Sequence, residues 1–96
     1  MKFYRANLVN KQYVKAAPVK VITWSLSSII TKNKQGDAVA YQGKFTSSEA
    51  IRSGAFVIGD DGNGVMKPYR VESRPGMAGI FIYLLKEEGM IRGAHG

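Results

Sequence analysis

Ile51-Arg-Ser-Gly-Ala-Phe-Val-Ile-Gly-Asp-Asp-Gly-Asn-Gly-Val-Met-Lys-Pro-Tyr-Arg-Val71 is the stretch whose reading decides the fold. Ala55 to Ile58 is a short apolar run, Gly59 to Gly64 a polar break, and Val65 to Val71 a returning run. Two such runs joined by Asp, Asn and Gly predict a strand hairpin, because these residues enter left-handed turns at low cost. Pro68 has no amide hydrogen to donate, which places the returning strand at an edge or Pro68 at a strand end. Just upstream, Thr46-Ser-Ser-Glu49 has the spacing of a capping box. It predicts a short helix of one or two turns that stops at Gly54.

Downstream, Ile80-Phe-Ile-Tyr-Leu-Leu85 is apolar on both faces and predicts a central strand. Upstream, Val19 to Ile30 alternates β-branched and other residues and predicts a strand that bends at Ser27-Ser28. Ile22, Trp24 and Leu26 form an apolar row in it, which reads as core. Thr31 to Asp37 is a polar turn, and Ala38 to Gln42 a further strand ending at Gly43. Residues 1–17 are the least patterned. Phe3, Tyr4, Leu8, Val9, Tyr13 and Val14 have the spacing of one helical face, but a basic arm or a first strand turning near Asn10 fits equally. Ala16-Ala17-Pro18 ends whatever element precedes it.

The expected fold class is therefore mainly β, a β-rich α+β chain. It would form a small barrel or sandwich-like domain of five to six short strands with one short helix. Its organisation would be a basic N-terminal arm or first strand over residues 1–17, a β-rich core over 18–86 and a flexible tail over 87–96. Ninety-six residues allow one core and no second. No apolar run approaches the roughly 20 residues of a membrane span. The start, Met1 to Asn7, is polar where a signal peptide turns apolar, so the expectation is a soluble, unprocessed chain without a membrane partner.

The net charge of +7 is confined to one half. Residues 1–48 carry eight basic side chains against the single acid Asp37, while residues 49–96 carry six of each sign. Such asymmetry points to an acidic partner, or to a solvated lysine face that keeps the chain soluble.

Catalytic patterns are lacking, and the expectation is a non-enzyme with no cofactor, no metal and no small-molecule substrate. With no cysteine there is no thiol nucleophile and no thiolate site. The one histidine, His95, lies next to last in a glycine-rich end that offers nothing to orient it. Asp60-Asp61 and Glu87-Glu88 are adjacent pairs, not carboxylates set across a cleft. Asp60, Asp61 and Asn63 lack the alternating acids and distant glutamate of a calcium loop, and no Lys-Ser/Thr follows the glycines to make a phosphate loop.

The pattern Ile51-x-x-Gly54-Ala-Phe56-Val57-x-x-Asp60-x-Gly62-x-Gly64-Val65-x-x-Pro68 resembles a phrase of phage head-decoration and other virion structural proteins. It departs from that phrase by an extra Gly62-Asn63-Gly64 and by Met66-Lys67 before Pro68, and it spans about a fifth of the chain. The resemblance implies a capsid decoration, cement or auxiliary protein, made in the host cytoplasm and carried in the virion. Its partners would be capsid or other virion subunits, bound in many copies. Joined to the charge map, it makes Phe3, Tyr4, Arg5, Lys11, Tyr13 and Lys15 the expected partner-binding residues, with Asp60, Asp61 and Asn63 at a second contact. Two alternatives stand beside it. One is a small basic β-barrel that binds nucleic acid through the same half, with Trp24, read as core, counting against it. The other is a phage-encoded inhibitor of a host protein.

Overall fold

Nine strands, and no helix among the described residues, make up the computed structural model, which describes residues 1–89. They are β1 (Lys2–Val9), β2 (Gln12–Pro18), β3 (Thr23–Ser25), β4 (Ile29–Lys32), β5 (Ala38–Tyr41), β6 (Gly43–Ser47), β7 (Phe56–Asp60), β8 (Met66–Pro75) and β9 (Phe81–Glu87). Seven form one antiparallel sheet in the order β2-β1-β7-β8-β9-β6-β3, and β4 pairs with β5 as a separate hairpin. The chain is mainly β, with more strands than the five or six expected.

Strand periodicity builds the core. Every second residue of each strand faces one side of the sheet, and Phe3, Phe45, Val57, Tyr69, Val71, Tyr83 and Leu85 bury there as one cluster. Phe3 and Phe45 belong to strands that β7, β8 and β9 separate, yet their rings stack with centroids 4.9 Å apart. The sheet must therefore curl into a half-barrel with these rings inside. Residues 19–22 span the opening of the curl. Val19 N–H donates to Phe3 O and Ile22 N–H to Thr46 O, each at 2.8 Å. One stretch of chain thus leaves β1 at Pro18 and joins β6 at Thr23.

That crossing explains the missing helix. Thr46 and Ser47, the expected cap, are the end of β6. The Ser47 hydroxyl donates to Lys20 O at 2.7 Å, and the Glu49 carboxylate accepts Lys20 N–H and an Arg5 N–H. Ile51 N–H donates to the buried Tyr83 hydroxyl at 2.8 Å, and that hydroxyl donates to Glu49 O. Side chains that would have capped a first helical turn are spent on tertiary partners, so local propensity loses.

Three further readings are corrected. Val19 to Ile30 is not one strand, because residues 19–22 make the crossing and only the short β3 and β4 pair. Trp24 stands opposite Phe45 but β3 is the last strand of the sheet, and the indole is 48% exposed instead of core. Pro68 lies buried in β8, an interior strand. It fits because Val71 N–H to Ala55 O and Asp61 N–H to Val65 O fix the β7–β8 rungs, leaving Ile58–Pro68 as a pair without hydrogen bonds. On the other side its carbonyl accepts Glu88 N–H at 3.1 Å, past the last rung that needs a donor from β8. Of the expected tail, Glu87 ends β9 and Glu88 pairs with Arg70, while residues 90–96, His95 among them, lie outside the described residues.

Candidate interaction surface

β1 is longer than its partner in the sheet. It pairs with β7 only from Lys2 to Ala6, whereas its pairing with β2 continues through Asn7–Val14, Leu8–Tyr13 and Val9–Gln12. Residues 7–14 therefore stand out as a two-stranded ribbon. Leu8, Val9 and Val14 are 52%, 49% and 46% exposed on it. Apolar side chains on a bare ribbon cost solvation and gain nothing within the monomer.

The ribbon turns at Asn10 and Lys11, with φ of 51° and 64°. Two successive left-handed residues make the tight hairpin turn that matches strand twist. Asn tolerates this conformation, but Lys11 stands where glycine is the unstrained choice. Lys11→Gly should therefore raise stability by about 0.5–1 kcal/mol in urea melts, the relieved strain exceeding glycine's entropic cost. A lysine kept there trades stability for a cation at the tip.

The root of the ribbon is fixed to the outer face of the sheet. The Tyr13 ring meets Phe56 edge-on at 5.1 Å, and the Arg70 guanidinium covers the same Phe56 at 5.1 Å. Lys15 Nζ sits 4.3 Å from the centroid of the half-buried Tyr4 and 3.1 Å from Asp60 Oδ2. Among the residues expected to bind a partner, Lys11, Tyr13, Lys15 and Tyr4 are thus brought to one ribbon and its base. Phe3 is not, since it is 1% exposed in the core, and Arg5 is turned toward Glu49 at 3.2 Å. Leu8, Val9 and Val14 were not among the expected contacts, because their spacing fitted one helical face as well as a strand, and charge and aromaticity alone marked the partner-binding residues.

The expected second contact adjoins the first through the Lys15–Asp60 pair. Asp60 Oδ1 accepts Gly62 N–H at 2.9 Å, and Asp61 Oδ1 accepts Asn63 N–H and Val65 N–H at 2.7 and 3.2 Å. The Gly62 amide, and after it Lys15, hold the Asp60 carboxyl below its ordinary range. These carboxylates are turn caps, which accounts for the acids in this loop. No group of three or more His, Cys, Asp or Glu that could hold a metal occurs among the described residues. Nor is any helix there long and apolar enough to cross a membrane.

Ion pairing leaves the surface basic. Glu49, Asp60, Glu72, Glu87 and Glu88 pair with Arg5, Lys15, Arg74, Lys67 and Arg70. Eight of the thirteen basic side chains among the described residues have no such partner, Lys2 at the start of β1 and Lys11 in the ribbon's turn included. At the crossing, the Lys20 amide above all, with Arg5, holds the Glu49 carboxyl below its usual range against the opposing effect of burial. A carboxyl depressed by folding stabilises above its unfolded value, and that contribution is lost as pH falls through the folded one. Glu49→Gln should cost about 1 kcal/mol near pH 7 in urea unfolding, and the difference should vanish in strong acid.

No protein-family model, no curated protein and no solved structure matches the chain.

Proposed function

We propose that this chain is a non-enzymatic structural protein of a virus particle, a phage capsid decoration, cement or auxiliary protein. It docks on neighbouring subunits of the assembly through the β1–β2 ribbon. The observation that carries this reading is the ribbon itself, an apolar projection with a strained lysine at its tip and no role in the monomer core. A ribbon of that kind can add to a partner's sheet or lie in a groove on it. The uncompensated lysines favour an acidic partner surface, and the resemblance of residues 51–68 favours a virion as the assembly. Many weak docking contacts, repeated over a lattice, stabilise a shell without any single strong one.

The experiment is sedimentation of the purified protein with particles of the virus that encodes it. A chain that is monomeric alone and enters the particle stoichiometrically supports the reading, and one that stays in the supernatant overturns it.

One observation favours a second reading, a nucleic-acid-binding domain. The exposed Trp24 on the edge strand β3 offers a stacking platform, in the half of the chain that carries the excess of lysine. That reading requires tight binding to a single strand or duplex with a steep loss on adding salt. A flat salt response removes it.

A further inference from the structure

The β4–β5 hairpin lies over the outer face of β8 and β9. Tyr41 O–H donates to Glu72 Oε2 at 2.6 Å, and Arg74 donates to Lys32 O at 2.5 Å, which pins both strands of the hairpin. Between hairpin and sheet is a cleft of about 390 Å³, with Val39 and Tyr41 as an apolar wall and Lys34, Arg70 and Lys86 among its lining residues. It is an open cleft, at the low end of small-molecule sites in volume.

The charges of the cleft are unbalanced in a specific way. Arg70 and Lys86 stand directly opposite each other on β8 and β9, a like-charge pair in which only Arg70 has a carboxylate beside it. Glu88 pairs with Arg70 at 2.8 Å, and the Arg70 guanidinium also lies over the Phe56 ring at 5.1 Å, so Arg70 reaches the cleft already engaged. Lys34, which the β4–β5 turn supplies, and Lys86 have no ion-pair partner among the described residues. The one acid in the lining, Glu72, is already held by Arg74 at 2.7 Å and by the Tyr41 hydroxyl. It leaves Lys34 and Lys86 without a counter-charge.

We propose that this cleft binds a small amphipathic anion, with an apolar body against Val39 and Tyr41 and one phosphate or carboxylate head among Lys34, Arg70 and Lys86. The ligand is held and not converted, and the site shares only Arg70, which also covers Phe56, with the root of the ribbon.

The test is titration of the isotope-labelled protein, followed by amide NMR shifts, with four probes. Adenosine monophosphate and octanoate have a body and a head, inorganic phosphate has the head alone, and octanol the body alone. Saturable shifts confined to residues 33–41, 70–72 and 86 with either of the first two, and not with the last two, support the proposal. Adenosine monophosphate alone identifies an organic phosphate, and octanoate alone a fatty carboxylate. The double variant K34A/K86A, both exposed positions, should keep the dispersed spectrum and bind about tenfold more weakly. Val39→Asp, which spares the cations and spoils the wall, should weaken binding as well. No shifts, equal affinity for inorganic phosphate, or unchanged affinity in the double variant would overturn it.

Discussion

Truncation of Phe3 to alanine should lower stability by about 3–5 kcal/mol, enough to leave a domain of this size near its unfolding limit. The ring is 1% exposed and stacks on Phe45, which in turn meets Tyr83 at 5.1 Å. Its sheet neighbour is Gly59, where an added Cβ would lie 3.2 Å from the Phe3 ring. Glycine there leaves room for the aromatic and cannot fill the space when it is gone, so the cavity persists. Thermal or urea unfolding checks this, and a variant melting within a few degrees of the parent would refute it. A practical corollary concerns deletions. Removing residues 1–15 takes out β1 and a core ring with it, so loss of docking after such a deletion would report unfolding, not a lost contact.

The ribbon can be tested without that confusion. Leu8→Asp with Val14→Asp should leave the melting temperature within a few degrees, since both side chains are already about half in water. The same variant should lose incorporation into the particle by a hundredfold or more, because a charge then stands on each face of the ribbon, Leu8 on the face of Tyr13 and Val14 on that of Asn7, where the partner is to be met by apolar side chains. Sedimentation at fixed protein concentration reads the effect. Full incorporation of a folded double variant would move the docking surface elsewhere on the molecule.

What could be read from the sequence, and what could not, follows the range of the interactions. Phe56 to Val71 is legible as a hairpin because its turn chemistry is local: Asp60 and Asp61 bind amides two to four residues away. Ile80 to Leu85 is legible because only an interior strand is apolar on both faces, and β9 lies between β8 and β6. The helix after Thr46 is a false reading of real local chemistry. Ser47 and Glu49 do accept and donate the bonds such residues favour, but to Lys20, Arg5 and the backbone between them. Trp24 fails for a related reason, since alternation marks a face but not whether a neighbouring strand covers it.

The candidate surfaces were half legible. Lys11 and Tyr13 stand out by charge and aromaticity, and the ribbon shows them together. That the ribbon projects at all depends on β7 pairing with β1 only as far as Ala6, a fact carried by residues fifty positions away. Lys34, Arg70 and Lys86 are scattered in the chain, and only the register of β8 on β9 sets two of them opposite each other.

The closure of the sheet has a temporal side. Every rung between β1 and β7 joins residues fifty or more positions apart, from Ala6–Phe56 to Lys2–Asp60. Contacts of such long sequence separation slow folding into the millisecond-to-second range. The local β1–β2 hairpin, by contrast, closes in roughly microseconds. On the ribosome that hairpin is made first and then waits, at about 5–20 residues per second, for several seconds until β7 emerges. Throughout that interval the inner edge of β1 is unpaired, and the chain is most open to strand exchange with another copy before its own partner exists.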